Sequence, residues 1–159
     1  MEWNGRRQLA EESRGAKVHT SGPAAALTER LRFQTFALDR LADGSCRARV
    51  LLSWTDGREF VGEAQGMSSQ AGELRCSAEA AVQALQHAVQ REVELDLLGV
   101  KAVRAFDATV VIVSLSVRSD GNSWRMVGSY LTETDPPRGA ALAVLNATNR
   151  VLGNYVTTR

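Results

Sequence analysis

The sequence predicts an α+β fold of two tandem strand-strand-strand-helix units, in which a mainly antiparallel sheet carries both helices on one face. Two pairs, Asp56-Gly57 and Asp120-Gly121, each separate two segments of alternating apolar residues, which is the pattern of a β-hairpin. A long segment with apolar residues at helical spacing follows each hairpin, and Val61-Gly62 and Val127-Gly128 hold matching positions before it. Such a repeat predicts one supersecondary unit used in tandem.

Three strands are predicted in the first unit, over residues 32–41, 47–54 and 58–66. The middle strand has the clearest alternation, because the residues of one face are all apolar while arginine and serine dominate the other. The apolar face consists of Ala48, Val50, Leu52 and Trp54. In the third strand Gly62 and Ala64 share a face, and their small size is expected to let a helix pack close to the sheet.

A helix is predicted over residues 74–93, after a polar loop over 66–72. Its apolar residues recur at steps of three and four, as in an amphipathic helix that packs on a sheet. This stripe consists of Ala78, Ala81, Val82, Leu85, Ala88 and Val89. We expect Gly99 to end this segment, because glycine is common just beyond helix ends.

The second unit repeats the order, with strands predicted over 100–106, 107–118 and 123–131 and a helix over 139–152. Two consecutive prolines end the last strand. Pro137 is expected in the first turn of the helix, where a missing N–H costs nothing.

The chain has 159 residues, which fits one domain with a tail. Residues 1–30 hold few large apolar side chains and are predicted to be a flexible N-terminal arm, while residues 31–159 are predicted to form a single duplicated domain. No apolar run approaches the ~20 residues that cross a bilayer, and no secretory signal precedes the domain. We therefore expect a cytoplasmic protein without a membrane partner.

No group of residues predicts catalysis or metal binding. His19 and His87 are the only histidines, and no paired carboxylate accompanies either of them. Cys46 and Cys76 match no zinc-site spacing and are expected to be buried, reduced thiols. The sequence therefore predicts a protein that is not an enzyme, with no catalytic residue, no cofactor and no metal ion.

The two loops that connect strand to helix, over 66–72 and 132–138, form the candidate ligand site. Such a loop can offer backbone N–H groups at a helix N-terminus to a carboxylate, and an arginine in the second loop is placed to meet an anion. The candidate ligand-binding residues are Gly66, Met67, Ser68, Asp135 and Arg138. A plain connecting role is the alternative for the first loop.

The last predicted helix is apolar around most of its girth, so it needs cover on more than one side. A second subunit can provide that cover, and we therefore expect a homodimer. The candidate interface residues are Leu142, Leu145, Asn146 and Asn149. Asn146 can alternatively cap a neighbouring strand, because a polar group in an apolar setting needs a partner.

The alternative function is an RNA-associated role for the open face of the sheet. Four arginines can gather there with Trp54 or Trp124 nearby, namely Arg47, Arg49, Arg58 and Arg125. A sheet face with arginines and an aromatic ring can bind single-stranded RNA. The net charge of +1 and the interspersed glutamates oppose this role, so nucleic acid is not the expected partner.

The layout resembles the C-terminal regulatory, dimer-forming domain of the 2-isopropylmalate synthase family over about residues 45–152. The shared positions are Gly57, Gly62, Gly66, Ala78-Glu79-Ala80, Ala84-Leu85, Leu98-Gly99-Val100, Ala102-Val103, Asp107-Ala108, Gly128, Asp135 and Ala143-Val144-Leu145-Asn146. The resemblance implies two strand-strand-strand-helix units, dimer formation and amino-acid binding. The family's catalytic barrel and metal site have no counterpart here, and the segment over 67–75 is longer than the family's helix start and lacks its proline.

These observations predict a non-enzymatic regulatory or interaction module. It would self-associate and bind a small carboxylate or amino-acid ligand, and an RNA-associated protein is the alternative.

Overall fold

The structure, a computed structural model, describes residues 31–89 and 91–149. The predicted arm over 1–30 and the end of the last predicted helix lie outside the described residues. The first unit consists of strands β1 (Arg32–Arg40), β2 (Ser45–Ser53) and β3 (Glu59–Met67) and helix α1 (Gln70–Ala88). The predicted order of elements in this unit is confirmed.

The second unit consists of strands β4 (Val93–Ala105), β5 (Ala108–Ser119) and β6 (Asn122–Thr132) and helix α2 (Pro136–Thr148). Within the described residues, every strand pairing is antiparallel, in two three-stranded sheets of order β1-β2-β3 and β4-β5-β6. The predicted α+β class and the tandem repeat are therefore confirmed, and the six strands divide equally between two sheets.

The connection into α1 is shorter than the predicted loop over 66–72. Strand β3 continues to Met67 because Gly66 and Met67 still pair with β2. Helix α1 already begins at Gln70, because the Ser69 side chain caps it by accepting a hydrogen bond from the Gly72 N–H at 3.0 Å. Only two residues therefore separate strand and helix.

The boundary between the two units was wrongly predicted. Helix α1 ends at Ala88 rather than at residue 93, and β4 begins at Val93 rather than at residue 100. Gly99 ends no element, because it lies inside β4 beside an irregularity of the strand register between Leu97 and Gly99. The alternation of Val93, Leu95 and Leu97 is the strand signal that the helical stripe obscured.

Each helix packs on its own sheet at a glycine of the third strand. A Cβ atom on Gly62 would overlap the carbonyl oxygen of Ala80 and the amide nitrogen of Ala84 in α1. A Cβ atom on Gly128 would overlap the matching atoms of Ala143 and Ala147 in α2. The predicted close approach is confirmed, and it is the same in both units.

The two units share one core. Helix α1 packs on β2 and β3, α2 packs on β5 and β6, and the two helices pack on each other. Each helix also contacts the first strand of the other unit, α1 at β4 and α2 at β1. The largest fully buried side chains come from both units, and they include Val50, Leu52, Leu85, Val113, Leu115 and Val144.

Candidate functional site

A cavity of about 450 Å³ is lined by β1, the first turn of α1 and the start of α2. Its apolar lining consists of Phe36, Leu38, Leu74, Pro136 and Pro137. Its polar lining consists of Arg40, Gln70, Glu73, Thr134 and Asp135. This volume is in the range of small-molecule sites, and a wall that combines apolar surface with several polar groups can fix the orientation of a ligand.

Arg40 and Glu73 form a bidentate ion pair on the α1 side of the cavity. The Arg40 Nε lies 2.7 Å from Glu73 Oε1, and Nη2 lies 2.9 Å from Oε2. These hydrogen bonds hold the pKa of Glu73 below its usual value, although burial of the carboxyl acts in the opposite direction. Glu73 is therefore ionised at neutral pH.

The Arg40 guanidinium keeps donors that Glu73 does not use. It has five N–H groups, and Glu73 is its only side-chain hydrogen-bond partner in the described part of the chain. The Arg40 side chain is 65% exposed, whereas that of Glu73 is 11% exposed. An anion in the cavity can therefore reach Arg40 without breaking the ion pair.

The first turns of the two helices offer different groups to a ligand. Helix α1 starts with residues that keep their backbone N–H, and Gln70 adds a side-chain amide to the cavity lining. Helix α2 starts with Pro136 and Pro137, which have no N–H. Of these two helix starts, that of α1 therefore offers backbone donors to a carboxylate, whereas the two prolines of α2 offer none.

Asp135 contributes a negative charge on the α2 side. Its Oδ1 caps the helix by accepting a hydrogen bond from the Arg138 N–H at 3.1 Å, and its backbone N–H donates to the Thr132 hydroxyl at 3.1 Å. The Asp135 carboxylate is exposed. Glu73 pairs directly with Arg40, whereas Asp135 forms no ion pair within the described residues and acts on Arg40 only through a longer-range attraction.

The residues predicted in the first loop lie at the margin of this site. Gly66 and Met67 belong to β3, and Met67 is exposed. The Ser68 hydroxyl donates to Glu73 Oε1 at 3.2 Å, so it acts on the cavity only through that carboxylate. Strand pairing and the helix cap take up most of the predicted loop, and a role of this segment in ligand binding stays a prediction.

Of the two residues predicted in the second loop, only one lines the cavity. Asp135 lines the cavity, as the ligand hypothesis requires. The Arg138 guanidinium instead lies over the Phe33 ring of β1, with 5.3 Å between the guanidinium carbon and the ring centre. Arg138 therefore joins α2 to β1 and does not line the cavity.

The sequence interpretation missed the contribution of β1. Phe36, Leu38 and Arg40 alternate along this strand and share the face that lines the cavity. The signal is an apolar alternation that ends on a charged residue. Its meaning depends on packing against both helices, which residue spacing within one strand does not reveal.

The four predicted interface residues are engaged within the chain. Leu145 is only 4% exposed, because β5, β6 and α1 cover α2. The Asn146 side chain donates to the Ser129 carbonyl oxygen at 2.9 Å, which is the predicted strand-capping alternative. Leu142 is half-buried, and Asn149 caps the end of α2. A homodimer stays a prediction, and so does an interface through these four residues.

The four arginines of the RNA hypothesis do not gather on one surface. Arg47 and Arg49 are exposed on β2, Arg125 is exposed on the second sheet, and Arg58 pairs with an aspartate in its own hairpin turn. Trp54 is 7% exposed, so its ring is not free to stack on a base. No described feature favours this alternative.

The remaining reactive side chains have structural partners. Cys46 and Cys76 are free and buried, as predicted, and the Cys76 thiol donates to the Ala64 carbonyl oxygen at 3.0 Å. The His87 Nδ1 lies 2.7 Å from the Val61 carbonyl oxygen at the edge of β3. Over residues 31–89 and 91–149, no group of three or more histidine, cysteine, aspartate or glutamate residues could hold a metal ion.

No known family model matches the sequence, and a search of curated proteins found no significant match. No helix in the described part of the chain is long and apolar enough to span a membrane.

Proposed function

We propose that this domain is a non-enzymatic regulatory module that binds an amino acid in the cavity beside β1 and associates with a second copy of itself. The ligand part rests on one observation: the cavity wall combines a cation, an unpaired carboxylate and an apolar surface. The resemblance to the regulatory domain of the 2-isopropylmalate synthase family supports the same proposal, since two strand-strand-strand-helix units are its basis.

The carboxylate of the ligand would bind on the α1 side. Arg40 supplies guanidinium N–H groups that Glu73 leaves unused, and the Gln70 amide is a second donor. The positive end of the α1 dipole adds to the attraction, because a helix N-terminus favours negative charge.

The ammonium of the ligand would bind on the α2 side. Asp135 uses Oδ1 to cap α2, so its Oδ2 is the available acceptor. A simple carboxylate would bring a negative charge to this wall without a cation to balance Asp135. An amino acid therefore fits the cavity better than a carboxylate without an amino group.

The side chain of the ligand would be apolar. Phe36, Leu38, Leu74 and the two prolines provide a surface on which it can be buried, and each buried methylene contributes about 0.8 kcal/mol. Glycine would gain none of this energy and should bind the weakest among the amino acids.

Calorimetric titration with apolar amino acids tests the proposal, with glycine as the reference. The tightest ligand is then compared with its derivatives that lack the amino or the carboxyl group, and each derivative should bind at least about 10-fold more weakly, since a charged hydrogen bond contributes about 1.5–3 kcal/mol. Arg40→Gln should cause a similar loss. Arg49→Gln is the matched control, because this exposed strand arginine also pairs with a glutamate but lies outside the cavity.

Asp135→Asn isolates the ammonium site. Asparagine caps a helix about as well as aspartate, so the fold should be retained while the charge is removed. The amino acid should bind this variant more weakly than it binds the wild type. The derivative without the amino group should bind the variant at least as tightly as it binds the wild type. The ligand proposal is wrong if no amino acid produces heat, or if the wild type binds both compounds equally.

A further inference from the structure

The second sheet carries an apolar surface on the face that points away from α2. Five of the eight most exposed large apolar residues in the described chain lie on this face or at the adjoining β4–β5 turn. They are Val103, Phe106, Ile112, Val127 and Leu131, and we call them the apolar patch. Contiguous exposed apolar surface of this kind marks an interaction site.

Phe106 is the most unusual member of the patch. It is fully exposed at the tip of the β4–β5 hairpin, and its φ of 58° lies in the left-handed region that bulky side chains avoid. Both its exposure and its backbone conformation are unfavourable in an isolated chain. A contact outside the chain would explain why a large aromatic residue stands at this turn.

The first sheet provides an internal comparison. With Gly62 and Gly128 aligned, Ile112 takes the place of Arg49, and Leu131 takes the place of Gln65. Arg49 pairs with Glu63 across the strands at 3.5 Å, as expected for a face in water. At these two positions the outer face is therefore polar in the first copy and apolar in the second, where Lys101 lies beside Ile112.

Charged residues on the second sheet form rows that a second copy can match. Asp96 on β4 and Arg125 on β6 lie in one row, on either side of Ser116 of β5, and Asp96 also pairs with Arg118 of β5 at 3.0 Å. Val103 on β4 and Leu131 on β6 likewise lie in one row, on either side of Val110. A twofold rotation about an axis along β5 exchanges β4 with β6 and keeps each row.

We infer that two copies of this chain associate face to face through the second sheet, with the twofold axis along β5. This arrangement brings Val103 against Leu131 of the second copy, and Asp96 against Arg125 of the second copy. Arg118 of β5 meets its own copy, and Glu94 and Asp96, which both pair with it, offset the two positive charges. Facing sheets in proteins commonly pack with nearly aligned strands, as this axis requires. A twofold interface of this kind uses the same surface on both copies.

The face approaches the size that a standard interface needs. Three strands of about eleven residues span roughly 14 by 36 Å, or about 500 Å² in projection. The fully exposed Phe106 adds roughly 200 Å². The total approaches the ~800 Å² that one partner contributes to a standard interface.

Sedimentation of the full chain between 1 and 200 µM tests the interface. This inference rests on the self-association in the proposed function and names the surface that would form it. The wild type should be dimeric at the upper concentrations. Leu131→Glu should weaken the dimer at least about 100-fold, because the symmetry places two charges in the apolar contact. Gln65→Glu adds the same charge at the equivalent position of the first sheet and should leave the dimer unchanged. Thermal unfolding should show both variants folded, since both residues are exposed.

An introduced charge pair tests the axis. Leu131→Glu alone should weaken the dimer, and Val103→Lys combined with it should restore at least half of the lost association free energy, because the axis places these two side chains against each other. Failure of this rescue overturns the axis along β5.

Two other sedimentation results would each overturn part of the proposal. A wild type that stays monomeric at 200 µM overturns the interface and with it the self-association, and leaves the patch to a different protein. A dimer that Leu131→Glu does not weaken overturns only the choice of surface. Calorimetry on Leu131→Glu separates these results from the ligand proposal, because the cavity lies outside the second sheet and should keep its amino-acid affinity.

Discussion

Gly62 and Gly128 set the distance between sheet and helix in the two units. Each glycine pairs with a valine of the central strand, Val50 and Val113 respectively, and each lies under a helix whose backbone leaves no room for a methyl group. The two sites are independent observations of the same packing rule, because the two helices otherwise share little sequence.

Gly62→Ala and Gly128→Ala should each destabilise the fold by about 3 kcal/mol or more, because the added methyl group must displace helix backbone. Urea unfolding measures the change. Gly99→Ala is the control, since a Cβ there meets no atom within 4 Å, and it should be nearly neutral. Equal stabilities for the three variants would contradict the close approach.

The Cys76 thiol should be unreactive in the folded protein. Its burial, with a smaller effect from Cys46 nearby, raises its pKa to about 11. At pH 8 roughly one thiol in a thousand is then ionised, against about one in four in the unfolded chain. Alkylation followed by peptide mass spectrometry should show Cys76 labelled at least about 100-fold more slowly in buffer than in urea. Similar rates in both would contradict the buried thiol.

The Arg40–Glu73 pair should make stability depend on pH below neutrality. The pKa of Glu73 is lower in the folded chain than in the unfolded chain, so its ionised form stabilises the fold above about pH 4.5, and this contribution is lost as the pH falls through the folded pKa. Arg40→Gln should therefore be less stable than the wild type at pH 7, with a gap that narrows below pH 4. Arg49→Gln, which breaks an exposed pair, should show no such gap.

At the scale of elements, one side chain joins the two units along the edge of β4. The Gln86 amide of α1 donates to the Val93 carbonyl oxygen at 2.7 Å and accepts from the Leu95 N–H at 2.8 Å. It thus pairs with β4 as a neighbouring strand would. This contact also explains why β4 begins at Val93, directly after the helix and well before the predicted start.

Gln86→Leu should destabilise the protein by about 1–3 kcal/mol, because it leaves a donor and an acceptor of β4 without their partner. Hydrogen exchange should show the loss locally, as faster exchange of the Leu95 amide. Gln83→Leu is the matched control, since Gln83 is exposed on the same helix, and it should stay within about 0.5 kcal/mol of the wild type. Unchanged protection at Leu95 in Gln86→Leu would show that the contact does not hold β4.

At the scale of the whole molecule, the helices and strands that bury a single face could be predicted from the sequence. Strands β2 and β3 alternate because one face is buried, and the hairpin turns use glycines with positive φ at Gly57 and Gly121. The stripe of α1 and the helical position of Pro137 were predicted for the same reason, since local spacing reports burial on a single neighbour.

The division into two sheets and the cavity could not be predicted in this way. Both depend on the contact of each helix with the other unit, and no residue pattern within a single element encodes that contact. Phe36 and Glu73 illustrate this, since they lie 37 positions apart in the chain and line the same cavity. Asp135 was named because it lies in the second loop between strand and helix, and the structure places it at the N-terminal cap of α2.

Titration of the isotopically labelled protein with apolar amino acids, followed by amide chemical shifts, tests the proposed ligand site most directly. Saturable shifts should concentrate at Arg40, Gln70 and Asp135, should need at least about 10-fold more ligand in Arg40→Gln, and should be absent from the outer face of the second sheet. A spectrum that no amino acid changes, or shifts that saturate elsewhere in the chain, would contradict amino-acid binding beside β1.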